Sequence, residues 1–358
     1  MSTSSTQHAA LDREAIARVD RADLLTDVLA IPEHLRDALW KAESAGLEPW
    51  DSPGGLVVAG MGGSGIGGRL ARAILGDHAS RPILAAKAYG LPPWTTPDTT
   101  VLCASYSGDT EETLACFEAA GVIGANRVVA TSGGRLAELA RAEGVPVIPI
   151  AGGLQPRAAV AYVTVAALEV AALSGVGPRC NSDIDVAAEH LEDLVEAWGP
   201  DAGEDSEAKA LARALHGSVP VIAGAGLTTP IAYRWKSQIN ENAEQLAFAT
   251  ELPEADHNEI EGWGSAAGFG RFAGVFLDDA DTHPRVKARM ELTGRIVEVG
   301  AAAGVHRVDS RGGTAVERVF SLVLLGDLVS LYLAVLRGVD PSPVPAIDRL
   351  KDELARED

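Results

Sequence analysis

Short apolar runs separated by helix-length segments constrain this chain more than any other feature. Residues 56–59, 82–86, 100–104, 127–130 and 145–150 are rich in Val, Ile and Ala, with Gly or Pro nearby. Between them, segments near 65–75, 110–120, 134–142 and 157–173 have helical composition. Alternation of that kind predicts a parallel sheet covered by helices on both faces. A second alternating section has β-like runs at 219–223, 272–277 and 305–308, with helices predicted at 230–246, 284–302, 314–337 and 345–356. Amphipathic stretches at 12–30 and 32–45 precede the first section, and a polar helical bridge at 182–215, broken at 199–203, joins the two. The expected fold is α/β, with two doubly wound parallel-sheet domains flanked by helices. The first domain is expected over 1–180, with the N-terminal helices, and the second over 181–358, with the bridge and the C-terminal helix. A length of 358 residues fits about two such units.

Acidic residues outnumber basic ones by 50 to 30, for a net charge of −20. Such a surface repels phosphate backbones and anionic lipid, so no nucleic-acid or membrane partner is expected. An anionic ligand must then be held by local donors. The three cysteines, Cys103, Cys116 and Cys180, form neither a disulfide framework nor a CxxC zinc pair, and point to a reduced, cytoplasmic setting. The polar start, 1–11, has no apolar segment of the signal-peptide type. The two most apolar stretches, 158–173 and 319–336, carry Glu169 and Asp327 and read as buried helices.

After the first β-like run, Gly60, Gly62 and Gly65 satisfy G-x-G-x-x-G within a longer glycine run to Gly68. Glycines let backbone approach a phosphate, and the helix that follows supplies unpaired N–H donors. A dinucleotide site would also want an acidic residue after the second strand, where Lys87 stands instead. A tight turn without ligand and a dinucleotide site both stay open on this motif alone. The third strand leads into Ser105-Tyr106-Ser107-Gly108-Asp109-Thr110, a hydroxyl-dense loop that also opens a helix. One helix cap needs one oxygen, and this loop offers the hydroxyls of Ser105, Ser107 and Thr110 together. In a parallel sheet the loops after strands one and three emerge at the same carboxyl edge, so together they suit one phosphate monoester without Lys or Arg.

These two loops, with Thr131-Ser132-Gly133-Gly134 after the fourth strand, resemble the phosphate loops of the sugar-isomerase (SIS) domain family. The segments Asn240-Glu241-Asn242, His257-Asn258-Glu259-Ile260, Gly326-Asp327 and Leu350-Lys351 resemble one branch of it, the bifunctional phosphoglucose/phosphomannose isomerases. The resemblance covers nearly the whole chain from about residue 20 and implies two SIS-type domains. It implies a metal-independent aldose–ketose isomerase, without cofactor, acting on hexose 6-phosphates through a cis-enediol. It also implies a homodimer with shared active sites. Gly62, Gly63, Ser64, Ser105, Ser107 and Thr110 would hold the phosphate. Glu241 would be the base between C1 and C2, with neighbouring Asn amides placed to orient its carboxylate. Arg157 would steady the enediolate, His257 would open the sugar ring from the neighbouring subunit, and Lys351 would assist it. General acid–base chemistry and a fixed cation are what this reaction requires. The eight histidines are scattered, with no HExxH and no close pair, so no metal is expected.

Asp109 stands where the family usually shows Asn, and its charge costs phosphate affinity unless it points away or caps a helix. Small residues in 340–345 fit tolerance of both epimers. A non-catalytic sugar-phosphate sensor is the alternative reading, and it would not need Glu241, His257 and Arg157 together. A nicotinamide oxidoreductase is opposed by the missing acid after strand two. An aminosugar synthase would need a nucleophilic N-terminal cysteine, and this chain starts Met1-Ser2-Thr3.

Overall fold

Asp20 decides how the chain enters the fold. Its two carboxylate oxygens accept the N–H groups of Leu24 and Leu25, at 2.9 and 2.8 Å. The stretch expected as one amphipathic run is thereby split into α1 (Arg13–Ala17) and α2 (Leu24–Leu29), followed by α3 (Ile31–Ser44). The computed structural model describes residues 10–357, so most of the polar start, where no signal peptide is expected, lies outside the described residues.

The first sheet contains β1 (Leu56–Ala59), β2 (Ile83–Ala86), β3 (Thr100–Ala104), β4 (Asn126–Thr131) and β5 (Val147–Pro149). Its strands are all parallel, in the order β2-β1-β3-β4-β5. Their side chains alternate between two apolar layers. Leu56, Val58, Leu102 and Val128 enter the large core with α4 (Gly62–Leu75) and α7 (Val160–Leu173). Val57, Ala59, Val101 and Cys103 face a separate cluster with α5 (Glu111–Ile123) and α6 (Gly134–Glu143). Two polar-faced helices, α8 (Asn181–Trp198) and α9 (Glu207–Leu215), form the bridge.

The second sheet repeats the topology with one strand fewer. It contains β6 (Val219–Gly224), β7 (Phe248–Glu251), β8 (Phe272–Asp278) and β9 (Val305–Asp309), parallel in the order β7-β6-β8-β9. Helix α10 (Thr229–Ala243) follows β6, α11 (Pro284–Val297) follows β8, and α12 (Ala315–Arg337) and α13 (Pro345–Leu354) complete the chain. Strand β7 was not expected; it lies at the sheet edge, none of its residues is buried, and it lacks an apolar run. One continuous apolar core joins the inner faces of both sheets to α3, α4, α7, α8, α10 and α12. Pro156–Leu173 and α12 are long and apolar enough to cross a membrane, yet both are 89% buried inside the protein, as core helices are.

Candidate active site

The strand order of the first sheet reverses direction between β1 and β3, and such a point opens a crevice at the carboxyl edge. The glycine loop lies there as the first turn of α4. The helix begins at Gly62, and its bond from Gly65 N–H to Met61 O spans 2.9 Å. The N–H groups of Gly62, Gly63 and Ser64 precede that bond and have no intrahelical acceptor. Ser64 Oγ accepts the backbone N–H of Tyr106 at 3.0 Å, so the two predicted phosphate loops are joined.

Within the second loop the hydroxyls divide their work. Ser105 is fully buried; its Oγ accepts the Gly108 N–H at 3.1 Å and lies 2.8 Å from Thr110 Oγ1. Ser105 therefore shapes the turn. Ser107 is exposed and Thr110 half-buried, and Ser107 Oγ accepts the Asp109 N–H at 3.3 Å. Asp109 meets the condition set for it, because its Oδ1 accepts the Arg135 N–H at 2.9 Å in the first turn of α6. The carboxylate caps a neighbouring helix N-terminus, where negative charge is favourable. Gly108 has φ +79°, and a Cβ there would collide with the Gly133 carbonyl of the third loop. The loops after β1, β3 and β4 are thus packed as one unit.

Arg157 and Glu241 come from opposite halves of the chain and meet beside this unit. A Cβ on Gly63 would lie 2.8 Å from Pro156 O and 3.0 Å from Arg157 Cα, so the glycine loop abuts the Arg157 segment directly. Tyr106 Oη accepts the Leu154 N–H at 2.7 Å and ties the hydroxyl loop to the same segment. Arg157 lies in the 3-10 turn Pro156–Ala159 that leads into α7. A cation at a helix start opposes the dipole and needs partners. It finds Asn242 Oδ1, at 2.6 Å from its Nε, and the carbonyls of Pro341 and Ser342. Its Nη1 lies 4.0 Å from Glu241 Oε2. Burial presses the Arg157 guanidinium's pKa down, and the Glu241 carboxylate is the largest influence pulling it up. Glu241 is itself partly open to solvent, with its side chain 30% exposed.

Sequence reasoning missed the support beneath this pair. Arg234 donates to Arg157 O at 3.0 Å and holds Asp327 with a two-pronged contact of 3.1 and 2.6 Å, both side chains buried. Burial pushes the Asp327 carboxyl up, and Arg234 pulls it back. Asn242 Nδ2 donates to Ser330 Oγ at 2.9 Å, and Ser330 Oγ donates to Asp327 O at 2.7 Å. The expectation that Asn amides orient the Glu241 carboxylate is corrected. Asn242 orients Arg157, while Asn240 Nδ2 donates to the carbonyls of Lys236 and Ala247. The reason is helical geometry: residues one apart point about 100° away from each other and share no target.

Two expected residues make no hydrogen bond or ion pair with this cluster within one chain. His257 ends a 3-10 turn after β7; it is exposed, and no described hydrogen bond or ion pair joins it to Glu241 or Arg157. Lys351 lies on α13, which buries no residue, and no such contact joins Lys351 to them either. Among the described residues, no three His, Cys, Asp or Glu side chains gather as a metal site would require.

Two parallel sheets of matching strand order, with phosphate-type loops at the carboxyl edge of the first, define a double sugar-isomerase (SIS) architecture. Residues 204–354 match the family described as the bacterial phospho-glucose isomerase C-terminal SIS domain. The bifunctional phosphoglucose/phosphomannose isomerase of Caldicellulosiruptor bescii is 40% identical over 303 residues, 84% of this chain and 89% of that protein. The bifunctional enzyme of Aquifex aeolicus is 37% identical over 319 residues, covering 88% and 94%. A hypothetical protein of known structure from Thermus thermophilus superimposes with a TM-score of 0.74 over 97% of this chain and 93% of its own, at 18% identity, a likeness of fold. The chain belongs to the bifunctional phosphoglucose/phosphomannose isomerase family.

Proposed function

We propose that this protein interconverts glucose 6-phosphate or mannose 6-phosphate with fructose 6-phosphate through a cis-enediol, without a metal. The observation that carries the proposal is Arg157, fixed by Asn242 and two carbonyls, with Glu241 at 4.0 Å, directly against the glycine loop. A phosphate in the crevice would receive N–H donors from the first turn of α4 and hydroxyl donors from Ser107 and Thr110, with Ser64 and Ser105 holding the loops. Glu241 takes the proton from C2 of the aldose and returns it to C1, and microscopic reversibility lets it serve both directions. Negative charge grows on the enediol oxygens in this step. A preorganised guanidinium stabilises it at little reorganisation cost.

Ring opening needs a further proton carrier, and the partner subunit's His257 takes that role, assisted by Lys351. Two observations support a homodimer. His257 is exposed without a described partner in its own chain. Helix α13 leaves Ile347, Leu350 and Leu354 facing solvent at helical spacing. The compartment proposed is the cytoplasm, in keeping with three free, unpaired cysteines.

The test is an assay of glucose 6-phosphate and mannose 6-phosphate separately, each followed by fructose 6-phosphate formation. Turnover of at least one aldose is expected. Binding of hexose 6-phosphate with no turnover of either would make the protein a sensor.

A further inference from the structure

A second basic feature lies on the other side of α4, away from Arg157. Tyr233, on α10, carries three cations over its ring: Lys236 Nζ at 4.2 Å from the centroid, Lys87 Nζ at 4.6 Å and Arg69 Cζ at 4.8 Å. Lys87 follows β2, Arg69 belongs to α4 and Lys236 to α10, so three elements converge. None of these cations makes an ion pair or side-chain hydrogen bond with any described residue. Each is attracted to the ring, but cations sharing one ring stand well within a Debye length and repel one another. Burial, and then the fields of Arg69 and Lys236, lower the Lys87 pKa to about 8. In a chain of net charge −20, this group holds three cations together with no carboxylate paired to any of them.

Two of these cations, Arg69 and Lys87, line a cleft of about 640 Å³, roomy enough for a small metabolite. Arg69, Arg72 and Lys87 line one side, and the β6–α10 loop with Thr229 lines the other. The Thr229 hydroxyl is buried and has no hydrogen-bond partner. Asp77 and Glu251 also line the cleft and leave the cations in excess.

We propose that this cleft is a second anion site, binding the diphosphate group of a small metabolite between α4, β2 and α10. Three converging charges match a diphosphate better than a carboxylate or a monoester, which carries at most two. The site touches both elements that build the active site. Lys87 Cε lies 3.5 Å from where a Cβ on Gly65 would stand, in the first turn of α4 beside Ser64. Lys236 lies on the same helix as Glu241. An occupant therefore bears on the phosphate loop and on the base at once, as an effector must to change the reaction.

The experiment is calorimetric titration of the full chain with inorganic pyrophosphate at low salt. Saturable binding with a Kd below about 1 mM is expected. Lys87→Met and Arg69→Gln should each weaken it about tenfold, as loss of a charge-assisted contact does, and Lys87→Arg should restore most of what Lys87→Met loses. Ser107→Ala, in the hydroxyl loop, should leave the pyrophosphate Kd unchanged. Loss of binding in Ser107→Ala but not in Lys87→Met would place the anion in the phosphate loops and overturn the proposal. So would absence of binding, or lysine variants that alter only the oligomeric state on size exclusion, which would make the cleft a contact between copies. The titration reads no catalytic step, so its failure leaves the isomerase proposal standing, and failure of the aldose assay leaves this site standing.

Discussion

Arg157 occupies a position that electrostatics disfavours, at the start of a helix, and it is held there by groups from two distant parts of the chain, α10 and the segment at 341–342. That placement makes its guanidinium a fixed charge facing Glu241. Glu241→Gln retains shape and hydrogen bonding but removes the proposed base. Steady-state kinetics should show kcat falling on the order of 10²-fold or more with KM little changed. Turnover close to the unaltered protein's would remove Glu241 from the role. Ser107→Ala should act in the opposite way, raising KM about tenfold or more with kcat nearly kept, since a hydrogen bond to a charged group is lost. A KM unchanged in that variant would leave Ser107 without a ligand contact. Glu241 and Arg157 were legible in the sequence through a resemblance of short segments. The partners of Arg157 were not. Backbone carbonyls at 341 and 342 have no sequence signature, and Asn242 gave no sign of which side of its helix met Arg157.

At the scale of elements, the glycine loop and the hydroxyl loop were readable because each joins a buried strand to a helix start, where spacing and residue type carry the geometry. Strand β7 was not readable, because an exposed four-residue edge strand has neither an apolar run nor alternation. The split of the first amphipathic stretch was missed for another reason. Its apolar spacing continues through Asp20, but the chain leaves the helix after Ala17, and α2 starts afresh behind a left-handed Asp23, its first N–H groups capped by the Asp20 carboxylate. The contact between α4 and the Arg157 segment can be tested through Gly63. In Gly63→Ala the new methyl meets Pro156 O at 2.8 Å, with backbone on both sides of the contact. The overpacking should cost roughly 1–3 kcal/mol, read as a fall of a few degrees in Tm. Activity should fall further than stability, because the shift separates the glycine loop from Arg157. A variant with lowered Tm but unaltered kcat/KM would show that the two segments need not stay in register.

Across the whole molecule, the shared-site proposal has a direct readout. Mixing inactive His257→Ala with inactive Glu241→Gln subunits leaves, in each mixed dimer, one site with both original groups. Partial recovery of activity is expected. Verified mixed dimers that stay inactive would count against the partner subunit's His257 acting in trans.

The apolar core that passes from one sheet to the other through α7, α10 and α12 leaves no seam along which the chain can come apart. The architecture is duplicated, yet the halves are not autonomous in the way beads on a string are. Melting should therefore be cooperative. Far-ultraviolet dichroism of the whole chain and the fluorescence of tryptophans in both halves, Trp50 and Trp235 among them, should trace one coincident transition. A cavity cut beneath β1 in the first half would then loosen α12 in the second as much as its own neighbours. Damage anywhere in that core is borne by the molecule as a single unit.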